Sequence, residues 1–318
     1  MLSIWAVVVL VFLLVAVFSG PTSHGRAFVA TIITFALLLA GMLLFAARGF
    51  PERISALAGP ASGWVLGVAV FFIFLIYALS TATASLTRIA AMAAFLFLPL
   101  AVLASAQSAP SGTWQDFFTL SAIWIAVKFG PSHWIWPYPA GRLAYIFTVM
   151  LACNIAIAGF VLLRRARNIG YQIGWGANWT LHTLGSLIVF ACIAIPLGIN
   201  IHFIAYSAHT SEWKSFVPLS IAILCFTAWP EEFLFRGLLQ NFLSRAANND
   251  TIGWIAASIL FGFSHITNMH FPNWRYVLLA SIAGLFYGWT WRRTGSIFAS
   301  ALVHASVDVI WHFLFRSM

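Results

Sequence analysis

The 318-residue chain is short of charge: 7% of its residues are Asp, Glu, Lys or Arg, and seven in all are acidic. Soluble domains carry roughly a quarter charged residues, so a compact fold in water is excluded. A disordered chain, which stays solvated through its polarity, is excluded for the same reason. Cysteine is scarce as well. Cys153, Cys192 and Cys225 lie far apart in apolar runs, which argues against a disulfide framework and against a cysteine-rich zinc site. Basic residues bring the net charge to +9, yet they stand singly or in short runs between apolar stretches. That pattern gives nucleic acid no face to bind and marks loops beside a membrane. What abounds is apolar surface: 62% of residues are hydrophobic and the mean hydropathy is +0.95. Most of this chain is dissolved in lipid.

A membrane-crossing helix needs about 20 mostly apolar residues. Such runs fall at 3–19, 27–47, 63–80, 89–106, 144–163, 180–203, 216–234, 252–267, 275–291 and 296–315, and a shorter one at 117–130 can cross or lie at the interface. Backbone groups in hydrocarbon must pair, so spans are helices or closed barrels. Barrel strands alternate apolar and polar residues, which the run from Val7 to Val17 does not do. The expected fold is therefore an all-α polytopic membrane protein with ten or eleven transmembrane helices. The first run lacks a basic start and a cleavage signature and reads as a retained helix. The loop from Gly130 to Pro139 carries Trp134, Trp136 and Tyr138, residues that suit a membrane interface. Arg164, Arg165 and Arg167 in one loop, and Arg292 and Arg293 in another, are both expected on the cytoplasmic side.

Of the acids, Glu52, Asp116, Glu212 and Asp250 fit loops or span ends, whereas Glu231, Glu232 and Asp308 fall within or against apolar segments. An ionisable residue in a membrane helix is costly and points to a partner or a function. In Trp229-Pro230-Glu231-Glu232-Phe233-Leu234-Phe235-Arg236, Pro230 is expected to break or kink the helix. Glu232 and Arg236, four apart, can pair on one face, while Glu231 is rotated about 100° away. The bland reading of this segment is a neutralised capping cluster. In Phe261-Gly262-Phe263-Ser264-His265, the histidine ends an apolar helix; alone, it reads as a hydrogen-bonded core residue. His270 belongs to the following loop. In His304-Ala305-Ser306-Val307-Asp308, histidine and aspartate share a face, and the pair can be a polar tie between helices. Three segments that each bring ionisable groups into lipid are hard to explain as packing.

These three segments, in this order, resemble the intramembrane CAAX-protease and bacteriocin-processing (abortive-infection, CPBP) family: Glu-Glu-x-x-x-Arg at 231–236, Phe-x-x-x-His at 261–265, and His-x-x-x-Asn/Asp at 304–308. Gly237 and the run from Arg293 to Ile297 are also similar. The likeness covers roughly 180–318. It implies a CAAX-protease-like helical domain at 175–318 enclosing a polar cavity, after an N-terminal multi-span region at 1–165 of unknown role. It also implies endopeptidase activity on a membrane-associated or lipidated peptide or protein, with the lipid bilayer and no nucleic acid as partner. The expected place is the bacterial inner membrane, with the site facing the cytoplasm.

As implied by this resemblance, Glu231 with His265 activates a water, His304 oriented by Asp308 stabilises the oxyanion, and Glu232 with Arg236 fixes the first segment. Asp308 stands where the best-known prenyl-protein proteases carry asparagine. An ionised aspartate cannot donate to an oxyanion, so orientation of His304 is its expected role. No cofactor is required by this scheme. A divalent metal such as zinc is the other version, with Glu231, His265 and His304 as ligands and Glu232 as base. Rival functions are a proton-coupled transporter and a catalytically silent membrane scaffold or immunity protein. Against the transporter, the buried polar groups concentrate in the last third of the chain, without a visible inverted repeat.

Overall fold

The computed structural model describes residues 2–19, 25–138, 142–208 and 210–318, with residues 14–19, 142, 143 and 210–212 described in backbone only. Pro139 and the Glu212 side chain, both assigned above to loops, lie outside the described residues. The chain forms two compact units, Met1–Ala166 and Arg167–Met318.

The first unit runs through α1 (Leu2–Ser19), α2 (Arg26–Phe45), α3 (Phe50–Ser80), α4 (Leu86–Ala104), α5 (Trp114–Phe129) and α6 (Ala144–Leu163). At its centre is α6, which carries the most deeply covered apolar segment of the unit. Asn154 on α6 donates to the Leu38 carbonyl of α2 at 3.0 Å, the kind of side-chain tie that holds helices together in lipid. Trp136 departs from the interfacial expectation. It is fully buried, with its ring 4.9 Å from Tyr77, 5.3 Å from Phe147 and 5.6 Å from Phe74. Trp136 folds inward because three rings offer it more contact than headgroups do, while Trp134 of the same loop stays exposed.

A second departure concerns Arg164. It is buried, and its Nε and Nη2 each lie 2.8 Å from an oxygen of Asp116. Its remaining N–H groups meet the carbonyls of Ala106, Ala109 and Pro110. Asp116, in turn, accepts from the backbone N–H groups of Gly112 and Thr113. Arg164 is therefore an internal clasp rather than an orientation mark.

The second unit contains α7 (Trp179–Asn200), α8 (Trp213–Ala246), α9 (Asp250–Phe263), α10 (Trp274–Thr294) and α11 (Ile297–Leu314). Asn249 caps α9 by accepting from Thr251 and Ile252 N–H groups. α9 and α10 pack closely as antiparallel neighbours. A Cβ on Gly262 of α9 would lie 2.5 Å from the Val277 carbonyl oxygen on α10, so only glycine allows this approach. Gly295, at φ 64°, turns the chain out of α10, and the Ser296 hydroxyl caps α11 by accepting from Ala299 N–H. The chain contains one small departure from pure helix among the described residues. Ile204–Tyr206 pairs antiparallel with Phe315–Ser317, because both strands emerge from helix ends with backbone groups left to satisfy.

Seven helices among the described residues are long and apolar enough to cross a membrane: α2, α3, α4, α6, α7, α8 and α11. α9 is apolar but only 14 residues long, and α5 has 16. The 21 residues of α10 include Arg275, Arg292, Arg293 and several tryptophans, which dilute its apolar content. Helix length and composition thus secure seven of the ten or eleven expected spans among the described residues.

Candidate active site

α8 passes through Pro230 without ending. It is π-helical over Leu224–Ala228 and again over Phe233–Gln240. A π-turn already shifts the hydrogen-bond ladder by one residue, so the missing proline N–H is absorbed where a bond was going to be displaced anyway. The expected break is thereby avoided, and α8 carries Glu231, Glu232 and Arg236 into the middle of the unit. Such widened turns concentrate at functional positions.

Glu232 and Arg236 are both fully buried, with Arg236 Nε donating to Glu232 Oε2 at 3.0 Å. The same oxygen lies 2.6 Å from the Ser300 hydroxyl of α11, which also lies 2.8 Å from the Tyr287 carbonyl. The other carboxylate oxygen, Oε1, is 3.0 Å from His304 Nδ1. A carboxylate that takes a guanidinium N–H must accept from the imidazole too, so Nδ1 carries hydrogen and Nε2 faces the opposite way. Nε2 looks toward Glu231 Oε2 at 3.9 Å and Asp308 Oδ2 at 3.6 Å. Those two carboxyls keep 28% and 31% of their side-chain surface exposed, against 4% for His304 and none for Glu232. One acid is locked in the interior while its neighbour in sequence faces open space.

Glu232 holds His304 from its Nδ1 side, whereas Asp308, expected to orient the ring, lies with Glu231 on the Nε2 side. His265, two residues past the end of α9, has Nδ1 2.8 Å from the Phe261 carbonyl. A carbonyl only accepts, so Nδ1 is the donor and Nε2 is the basic nitrogen. Rings complete the setting. Tyr287 stacks on His304 at 4.6 Å, and Tyr276 lies 4.9 Å from His265. Phe261 lies under Arg236 at 4.7 Å, a cation–π contact that shields the buried guanidinium.

His265, His304, Asp308, Tyr276 and Tyr287 form the polar part of a cavity of about 90 Å³ whose other walls are apolar. It has room for several waters. Its lining extends from Leu187 and Tyr287, near mid-helix, to Phe203, Trp311 and Phe315. Those last residues mark the end of the bundle away from Arg292 and Arg293, because α10 and α11 run antiparallel.

Among the described residues, no group of three or more His, Cys, Asp or Glu side chains is arranged to hold a metal ion. Glu231, His265 and His304 as placed do not make the ligand set a zinc version would need. Sequence reasoning did not pick out Ser300, Tyr287 or Tyr276. Ser300 had a signal: it lies four residues before His304, one turn away on the same face of an apolar helix.

Seven helices long and apolar enough to cross a membrane make this an integral membrane protein, and one segment of it is similar to a CAAX-protease family. More particularly, residues 213–310, just under a third of the chain, match the family described as type II CAAX prenyl endopeptidase, Rce1-like. The match begins at α8 and takes in Glu231, Glu232, Arg236, His265, His304 and Asp308. No curated protein and no solved structure matches the chain.

Proposed function

We propose that the chain is an intramembrane endopeptidase that cleaves a membrane-associated or lipidated peptide by Glu231- and His-activated water. The observation that carries this reading is the posture of His304. Its Nδ1 is held by a buried carboxylate, and its Nε2 faces two half-buried carboxyls at 3.9 and 3.6 Å. In the proposed step Glu231 takes a proton from water as the oxygen adds to the scissile carbonyl carbon. His265, with its basic Nε2 on the cavity wall, helps hold that water. His304, as an imidazolium with Nδ1–H on Glu232, donates from Nε2–H to the developing oxyanion, an interaction worth about 3 kcal/mol in comparable sites. Asp308 balances the charge of the imidazolium. The C–N bond then breaks, and the leaving amine takes the proton back from Glu231.

The apolar cavity walls support a substrate with a hydrocarbon-rich segment next to the scissile bond. The match to a prenyl-endopeptidase family supports the same class. The concentration of buried ionisable groups around a single histidine favours hydrolysis over proton-coupled transport, which needs a path across the whole membrane. The test is a comparison of peptide termini in membranes holding the native chain or Glu231→Gln. Termini present with the native chain and absent with the variant are expected, a fall of at least about 100-fold. Identical termini, with Glu231→Gln folded to the same melting temperature, would leave the silent scaffold as the correct reading.

A further inference from the structure

Away from the cavity just described, a groove of about 440 Å³ runs over the outer side of α7, α9 and α10. It is lined by Gly185, Val189, Trp254, Leu285, Phe286 and Trp289. Its volume lies in the range of about 300–1,000 Å³ usual for small-molecule sites. The interior is apolar. The Ser186 hydroxyl at its floor is taken up by Thr290, which donates to it at 2.8 Å, and the Trp254 indole N–H is spent on the Leu285 carbonyl at 2.8 Å.

The two tryptophans that line the groove are also the seats of two cations. Arg292 Cζ lies 5.0 Å from the Trp254 ring and Arg293 Cζ 4.1 Å from the Trp289 ring. Among the described residues neither arginine pairs with a carboxylate within 4.0 Å. Arg292 follows Trp289 by one helical turn, about 5 Å along α10, at the end of a helix that terminates at Thr294. A role in complementing the helix dipole or marking topology would account for the arginines. It would not account for a tryptophan-walled apolar groove directly beneath them. Charge at the rim and hydrocarbon-compatible space below is the chemistry of an anionic lipid.

We infer that this groove binds one anionic phospholipid, with an acyl chain between α7 and the Trp254–Trp289 pair and its phosphate on Arg292 and Arg293. Guanidinium groups suit a phosphate because they offer paired N–H donors. Stacking on the indoles holds them at the rim without neutralising their charge. This site is separate from the cavity that holds His265 and His304, so the inference stands whether or not the chain is a protease.

The test is native mass spectrometry of the full chain in detergent with equal amounts of phosphatidylglycerol and phosphatidylcholine. One retained phosphatidylglycerol per chain is expected, preferred over phosphatidylcholine. Replacing both arginines by alanine should cut that preference about thirtyfold, from roughly a fivefold effect per charge, and replacing both by lysine should keep most of it. Gly185→Leu fills the groove from a position where a Cβ meets nothing within 4 Å, so it should preserve folding and abolish retention. Equal retention of both lipids by the native chain would overturn the inference. So would undiminished phosphatidylglycerol on Gly185→Leu, which decides the matter even where the double alanine variant fails to fold.

Discussion

Two buried arginines, one in each unit, show the same ion pair put to different ends. Arg164 spends its guanidinium completely, on both oxygens of Asp116 and on three backbone carbonyls. Arg236 spends one N–H on Glu232, and its Nη1 and Nη2 have no hydrogen-bond partner. They rest among the rings of Phe261, Tyr287 and Phe235 instead. Buried ion pairs seldom raise stability over an apolar replacement, since desolvation offsets attraction. The first pair is saturated and closes a loop on a helix. The second is left incomplete so that Glu232 has an oxygen to spare for His304.

The comparison breaks most visibly at Arg164. Arg164→Ala strands the Asp116 carboxylate and three carbonyls, and should cost about 3–5 kcal/mol of stability. Thermal unfolding in detergent would show it as a lowered midpoint. Asp116→Asn, which keeps a hydrogen-bonding side chain of the same shape, should cost less, roughly 1–3 kcal/mol. Glu231→Gln should leave the midpoint within about 0.5 kcal/mol of native, since its carboxyl is partly exposed. A large loss of stability in Glu231→Gln and none in Arg164→Ala would invert the assignment of structural and chemical roles.

Ser300 sharpens the comparison within the second unit. Its hydroxyl supports the carboxylate that orients His304 but faces no substrate. Ser300→Ala removes a hydrogen bond to a charged group, worth about 1.5–3 kcal/mol. The expected result is a fall in kcat of roughly tenfold or more, with KM little changed because substrate contacts remain. Ser300→Thr, which keeps a hydroxyl, should recover part of that loss. An unchanged kcat would mean that Glu232 holds the imidazole without help from the Ser300 hydroxyl.

The residues explain what was legible beforehand and what was not. Long apolar runs announce helices because lipid tolerates no unpaired backbone, and the described helices follow those runs closely. The pairing of Glu232 with Arg236 was visible because four residues make one turn. Partners that arrive from other helices were not visible. Nothing in the sequence links Glu232 to a histidine 72 residues away, or Arg164 to an aspartate 48 residues before it. Arg164 was misread because a basic residue after an apolar run looks the same whether it reaches water or folds back. Trp136 was misread for the same reason. At Pro230 the helix continues without a break, because a proline's effect depends on whether the ladder around it is already shifted.

The smallest effect lies in pH, and it belongs to the saturated pair. Burial pushes the Asp116 carboxyl up, but hydrogen bonds from Arg164, Thr113 and Gly112 outweigh it and hold the folded value below the ordinary 3.8. The folded state then binds this proton more weakly than the unfolded state. Its stabilisation is complete above the unfolded value and is lost as pH falls through the folded one. The difference in melting temperature between the native chain and Asp116→Asn should therefore be flat from about pH 7 to about pH 5 and shrink below about pH 4. A difference that stayed constant down to about pH 3 would mean that Arg164 does not hold an ionised carboxylate. The clasp would then be an uncharged hydrogen-bonded turn, and its contrast with the incomplete pair on α8 would be one of geometry alone.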